Sequence, residues 1–287
     1  MFRVCFFLLL ALFIGCGCAD SSDRQSVYLF SDTGCAADDF FAIREVLDSP
    51  VSDLKMIVSD GKYPEKSANA ACWFLNRCGR SDIPVGQGMA SSDGNDHPLA
   101  VLAAGKKYPF ESDGVGKFLR EIAKESSDVV VIILGPATSF AEALRRSPEL
   151  AGKCRVFISG GSFTPGVKEW NILCDIPGAQ YLFKTEWKHT PVVIPFEAGF
   201  TLTADKVPSD PALKEVALLW RKVNPFGHKS SHIIRLFDVA AVRAAENRND
   251  LDVSLRSVRL DDDGVTRTGG KRIFAILNKV PQKNNKL

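Results

Sequence analysis

Val27-Tyr28-Leu29-Phe30-Ser31-Asp32-Thr33-Gly34-Cys35-Ala36-Ala37-Asp38-Asp39 joins a short apolar run to a helix-like stretch that continues to Leu47. The run has the length of a buried strand and the residues after it have helical periodicity, so the segment reads as strand, turn and helix in succession. Three carboxylates, Asp32, Asp38 and Asp39, crowd that junction. In an open parallel sheet, ligands bind outside the carboxyl ends of the strands. Like charges gathered there repel one another unless a cation or a polyhydroxylated ligand offsets them. The competing reading is local: Asp38 and Asp39 cap the helix and favour its positive end.

The same alternation continues outward. Residues 54–58 read as a second strand and 64–78 as a second helix, with Pro64 in its first turn and Gly79 ending it. The segment 88–109, rich in Ser, Gly, Asp and Ala, reads as a surface loop bordering a pocket. Residues 115–124 are helical in pattern, and 129–134 form an uninterrupted apolar run of the kind buried on both faces at the centre of a parallel sheet. A helix over 138–146, capped by Thr138, follows; 155–158 and 192–194 add two strands around a helix over 179–187. Beyond Pro195 the pattern gives helices over 210–223 and 238–246, then a hairpin from 253–260 through an acidic turn at 261–264. The fold class expected is α/β: an open, mostly parallel sheet flanked by helices, with right-handed crossovers and a small C-terminal hairpin.

The chain has 287 residues, 45% of them hydrophobic and 24% charged, enough to bury one sizeable core over residues 20–280. A net charge of +2 gives no argument for nucleic acid or an anionic membrane as a partner, and no nucleic acid is expected. Arg3 precedes an apolar stretch over 4–14 that is too short to span a membrane and right for the core of a secretory signal, so residues 1–19 read as a signal peptide and the protein as exported, periplasmic or extracellular. Gly17-Cys18-Ala19 offers a cleavage site before Asp20; alternatively Phe13-Ile14-Gly15-Cys16 resembles a lipobox that would anchor Cys16 to a membrane by lipid. Residues 281–287 read as a flexible tail.

Of eight cysteines, five lie in the body (Cys35, Cys72, Cys78, Cys154, Cys174), an odd number with no C-x-x-C pattern. Cys35 reads as a small packed residue rather than a nucleophile, because no His is near it in sequence. Among His97, His189, His228 and His232 only the last two are spaced to share a helix face; they read as surface or lid residues, with the alternative that one acts as an acid.

Asp32-x5-Asp38-Asp39 resembles the amino-terminal signature of the inosine-uridine nucleoside hydrolases, D-x-D-P-G-x-D-D. Collinear segments extend the likeness: Ile83-Pro84-Val85-Gly86, Leu134-Gly135-Pro136-Ala137-Thr138, Gly160-Gly161, Glu169-Trp170-Asn171, Phe237-Asp238-Val239-Ala240 and Thr266-Arg267. The resemblance implies calcium as cofactor, with Asp39, Asp238 and the Leu134 carbonyl as ligands. It implies that Asp38 and Asn171 bind the 2'- and 3'-hydroxyls of a nucleoside or riboside and Glu169 the 5'-hydroxyl; Asp60 stands where the family has a ligand-contacting Asn. The family often forms dimers or tetramers, so a homo-oligomer is a candidate state.

The same alignment shows departures. Gly34 occupies the position of the family's catalytic, calcium-binding Asp, Phe237 that of a His tied to leaving-group departure, and Phe163 that of an Asn contacting the ribose. Asp32 is the carboxylate at hand to replace the base, but along an extended segment it lies about 6.5 Å from position 34. Two functions are therefore expected: a ribohydrolase with an altered catalytic site, or an inactive relative that binds a ribosyl ligand or serves as an interaction module.

Overall fold

In a computed structural model describing residues 24–94, 96–200, 202–224 and 233–281, Gln25–Ser31 forms strand β1, and Asp38–Leu47 forms helix α1. The expected alternation follows: β2 (Ser52–Ser59), α2 (Pro64–Arg77), β3 (Val85–Gln87), α3 (Gly114–Ile122), β4 (Val129–Ile133), α4 (Thr138–Arg146), α5 (Leu150–Lys153) and β5 (Cys154–Ser159). After it come α6 (Trp170–Cys174), α7 (Ile176–Lys184), β6 (Val192–Ile194), α8 (Phe196–Gly199), β7 (Thr203–Ala204), α9 (Pro211–Val223) and β8 (Ile234–Arg235). The chain closes with α10 (Phe237–Glu246), β9 (Val253–Leu260), β10 (Thr266–Thr268) and β11 (Arg272–Leu277).

Nine strands form one sheet in the order β10-β9-β11-β6-β5-β4-β1-β2-β3. From β3 to β11 all neighbours pair in parallel, and only β9 runs against its two partners. The C-terminal hairpin is thus no separate appendage: β11 pairs with β6 and carries β9 and β10 into the main sheet. Alternation along the strands divides the core in two. Val27 and Leu29 of β1 pack on one face with Phe40, Ile43 and Phe74, and Tyr28 and Phe30 on the other with Phe118 and Phe140. Phe30 meets Phe118 and Phe140 edge to face at 5.0 and 5.1 Å.

Connectivity runs outward from β1 to β2 and β3, then returns to β4 on the other side and continues to β5 and β6. The point between β1 and β4 is therefore a topological switch, where crossovers to opposite sides leave a crevice at the strand ends.

Some local expectations change. Thr138 is the first residue of α4 and not its cap, and its hydroxyl is buried without a partner. The helix end is served instead by Asp60, whose Oδ1 accepts from the Ser139 N–H at 3.1 Å and hydroxyl at 2.5 Å. The loop over 88–109 contains a 3-10 helix, Pro98–Ala103, that buries Leu99 and Ala103 against the core. All five body cysteines are unpaired. No described helix is long and apolar enough to cross a membrane. The signal-peptide reading of residues 1–19 with Cys16, His228 and His232, and the tail beyond residue 281 lie outside the described residues.

Candidate active site

A cavity of about 450 Å³ opens at the switch point. Asp32 follows β1, Leu134 follows β4, Ser159 ends β5 and Ile194 ends β6, and all four line it. Its volume suits a small-molecule ligand.

Two helix starts aim carboxylates into this crevice. Asp38 and Asp39 lie in the first turn of α1 and Asp238 in that of α10. Neither Asp38 nor Asp39 is the N-cap residue, which is Ala37, so local capping does not account for them. The two helices are tied by an ion pair between Arg243 and Glu45 at 2.9 Å. Oxygens of Asp38, Asp39 and Asp238 all come within 4.8 Å of one another, and the three residues are buried. Ser31 donates to Asp39 Oδ1 at 2.6 Å.

Burial is the leading cause that pushes these groups up, with repulsion from Asp32 added for Asp38 and from Asp32 and other acids of the trio for Asp39 and Asp238: Asp38 to about 7, and Asp39 and Asp238 well above the ordinary carboxylate range. Backbone N–H groups of Asp38, Asp238 and Phe237 pull Asp38 the other way. Asp32 is raised to about 6, chiefly by burial. Three buried carboxylates on hard oxygen donors are the donor set of a divalent cation such as calcium, so the residues present fit that group.

The raised values have a consequence for stability. A carboxyl whose folded pKa exceeds its unfolded value of about 3.9 keeps its proton in the fold when the unfolded chain has lost it. The native state then binds more protons, and stability falls as pH rises through that window. For the metal-free protein, the melting temperature relative to an Asp38→Asn variant is expected to fall from about pH 4 to about pH 7, the window ending at the raised Asp38 value, and calcium to flatten that slope. Parallel profiles for parent and variant would contradict it.

The remaining sugar-directed candidates sit on the same rim, except one. Glu169 and Asn171 line the cavity. Glu169 is the N-cap of α6: Oε1 accepts from Asn171 N–H at 2.9 Å, and Oε2 from Gly161 and Ile172 N–H, each at 3.1 Å. Its carboxyl is raised, with burial the leading cause. Asn171 Nδ2 donates to the Leu134 carbonyl at 2.7 Å and the Ser159 carbonyl at 3.0 Å, strapping the ends of β4 and β5 together. The Leu134 carbonyl expected to face a cation is thus engaged by Asn171. Asp60 is fully buried outside the lining, with Oδ1 accepting from the start of α4 and Oδ2 buried without a partner.

Gly34 also lies outside the lining. Its φ is +99°, and a Cβ there would point at Ala70 and Ala100, each 3.4 Å away, not at the carboxylate trio. Gly34→Asp is therefore expected to lose about 1–3 kcal/mol from backbone strain and to gain no activity. A melting-temperature measurement and a ribose-release assay check both; higher activity in the variant would show that the turn can re-form.

Of the aromatic rim, sequence reasoning overlooked Phe196 and Phe200. Phe196 stacks on Phe237 with centroids 5.0 Å apart, Phe200 lies 5.6 Å from Phe196, and the Arg235 guanidinium covers Phe200 at 3.5 Å. With Trp170 these rings line the mouth, and Trp170, Phe196 and Phe200 are each about 40% exposed, a large apolar area for a water-facing surface. Phe163 does not join them; it packs under Arg256. The loop after β5 is braced by Glu197, which accepts from the Phe163 and Thr164 N–H groups at 3.1 and 2.8 Å.

A mostly parallel sheet with a switch-point cavity lined by an acidic trio, Glu169 and Asn171 is an α/β architecture of the class that binds small molecules. The sequence profile of the inosine-uridine preferring nucleoside hydrolases matches residues 27–266, and the chain belongs to that family. It is 28% identical over 184 residues to a probable uridine nucleosidase 2 of Arabidopsis thaliana, and 31% identical over 169 residues to the pyrimidine-specific ribonucleoside hydrolase RihA of Shewanella woodyi. Those matches cover 56% and 51% of this chain and 56% and 53% of the relatives, so the chain spans about half the length of the curated relatives it matches. Among solved structures, a plant nucleoside hydrolase, PpNRh1, superposes with a TM-score of 0.71 at 21% identity, covering 90% of this chain and 95% of that one. The inosine-uridine preferring nucleoside hydrolase of Bacillus anthracis does so at 0.70 and 16%, with the same coverage. At these identities the structures speak for the fold.

Proposed function

We propose that the protein hydrolyses the N-glycosidic bond of nucleosides or related ribosides, using a catalytic site altered at Gly34. The carrying observation is the convergence of Asp38, Asp39 and Asp238 on one cavity with Glu169 and Asn171. Loss of a base from ribose passes through an oxocarbenium-like state, so the site must grip the sugar hydroxyls and present water to one face of the ring. Asp39 and Asp238, with Asp38 beside them, would hold calcium, which when bound lowers the pKa of water and offers vicinal hydroxyls a chelating centre.

The chain's own residues do the rest. Asp38 and the Asn171 amide oxygen accept from the 2'- and 3'-hydroxyls, and Glu169 accepts from the 5'-hydroxyl while fixing the loop that carries it. Asp32, raised to about 6, is the carboxylate on the cavity wall able to take a proton from water near neutral pH. Phe237, Phe196 and Trp170 give the base an apolar stacking surface.

Export belongs to the same proposal. The apolar stretch over 4–14 directs secretion, with Cys16 as a lipid anchor or Asp20 as the mature terminus. Assembly as a homo-oligomer rests on the family resemblance.

A panel of purine and pyrimidine nucleosides with calcium, followed by free ribose, tests the activity. Calcium-dependent ribose release supports it. Nucleoside binding without release would favour the second reading, an inactive riboside-binding relative, which Gly34 in place of the family's base motivates.

A further inference from the structure

His97 stands just ahead of the 3-10 helix and is only 5% exposed, yet neither Nδ1 nor Nε2 makes a hydrogen bond of normal geometry, the Tyr63 backbone giving the ring only a weak polar contact. A buried imidazole with both nitrogens unsatisfied is a costly arrangement that points to a missing ligand. One of its ring nitrogens, the Cys35 thiol and an Asp32 carboxylate oxygen all lie within 4.8 Å of one another, and all three residues are buried.

The surroundings are built to bring them together. Leu99 N–H donates to the Gly34 carbonyl and Cys35 N–H to the Asp32 carbonyl, both at 3.0 Å, locking the acidic turn onto the segment that carries His97. Gly61, at φ +90°, leaves the space between: a Cβ there would sit 2.8 Å from Asp32 Cβ and 3.0 Å from His97 Nε2. A Cβ on Gly135 would likewise press on Asp32 Oδ1 at 2.8 Å. Glycine at both walls is what lets the three side chains converge.

The donor set decides the ion. Calcium takes oxygen ligands, whereas a thiolate, an imidazole and a carboxylate are zinc ligands. Zinc bonds of about 2.0–2.3 Å place tetrahedral ligand atoms roughly 3.3–3.8 Å apart, so ligand atoms now within 4.8 Å of one another need to draw together by at most about 1.5 Å. Asp32 and Cys35 both line the main cavity while His97 lies outside its lining, so a fourth ligand would approach from the cavity side. We propose that Asp32, Cys35 and His97 form a zinc-class divalent metal site, distinct in chemistry from the oxygen-only trio of Asp38, Asp39 and Asp238. Binding deprotonates the Cys35 thiol, with the proton released to solvent, and involves no redox change. With one oxygen on the metal, Asp32 is held ionised and no longer takes up a proton near neutral pH, so a loaded site and the base role given to Asp32 above exclude one another.

The test uses the whole chain, stripped with chelator and reloaded with cobalt(II) alone. The expected result is one equivalent bound with thiolate-to-cobalt charge-transfer absorption and tetrahedral d–d bands, displaced by zinc and not by calcium. Cys35→Ser should remove the charge-transfer band, Cys72→Ser should keep it, and His97→Gln should weaken zinc at least about tenfold. Circular dichroism checks that each variant folds; should Cys35→Ser not fold, the parent spectrum and the His97→Gln titration decide. A parent spectrum without a thiolate band, a band that survives Cys35→Ser, or unchanged zinc affinity in His97→Gln overturns the site. None of these readouts needs a nucleoside, so failure here is distinguishable from failure of the ribohydrolase reading.

Discussion

Asp39→Asn is expected to lower calcium-dependent ribose release by about a thousandfold, the largest effect of any single replacement in the cavity. A cation acting on water and sugar hydroxyls supplies several kcal/mol of transition-state stabilisation, and each ~1.4 kcal/mol is a factor of ten. Asp39 is the most buried of the trio at 1% exposure, and it is flanked by Asp38 and Asp238. Asn keeps its volume and can still accept from Ser31, so lost charge is isolated from lost packing. Stability should move the opposite way. In calcium-free buffer the variant removes one member of a mutually repelling cluster, so its melting temperature at neutral pH should equal or exceed the parent's. Activity within tenfold of the parent would mean that the trio does not hold the working cation.

Glu169→Ala should cost both fold and function. The carboxylate accepts three backbone N–H groups, those of Gly161, Asn171 and Ile172, and thereby sets the start of α6 and the loop leading to it. Removing it leaves donors in a partly buried site, where an unmade hydrogen bond costs about 1–3 kcal/mol. A loss of at least about 2 kcal/mol in denaturant unfolding is expected, since capping alone is worth about 1 kcal/mol. Asn171 is displaced with the loop, and its straps to Leu134 and Ser159 go with it, so activity falls further than stability alone explains. Glu169→Gln separates the roles: its one carbonyl oxygen retains part of the cap. If Glu169→Ala unfolds at the parent's midpoint, the loop is held by other contacts, Glu197 foremost.

The first strand-turn-helix unit and the buried run ending at Leu134 were legible because their information is local. Period-2 burial, period-3.6 burial and the glycines and prolines between them sit within a few residues of one another. Short strands such as β3, β7 and β8 lack the length to show a period, and the sequence reading passes over them. Asp60 shows the limit for a site residue. The family resemblance put it at a ligand-contacting position, but it lies outside the cavity lining, where its Oδ1 accepts from the start of α4, far along the chain. His97 shows the reverse: nothing adjacent to it marks a ligand, and only the packing of the 3-10 helix on the acidic turn brings it to Cys35.

Sequence alone determined the α/β class, the order of its principal elements, and the presence of carboxylates at the first turns of α1 and α10. These follow from patterning along the chain, where neighbouring residues share one helix or strand and their geometry is fixed by its repeat. Tertiary structure alone decided that β1 and β4 lie side by side at the reversal of strand order, and that the hairpin closes onto β6 through β11. The sharing of one cavity by positions 38, 39 and 238 was expected only through the family resemblance, and the tertiary structure brings them there while turning Gly34 away. Pairing order and helix docking are set by burial of surfaces far apart in sequence, and a backbone angle such as that of Gly34 by the turn closing around it.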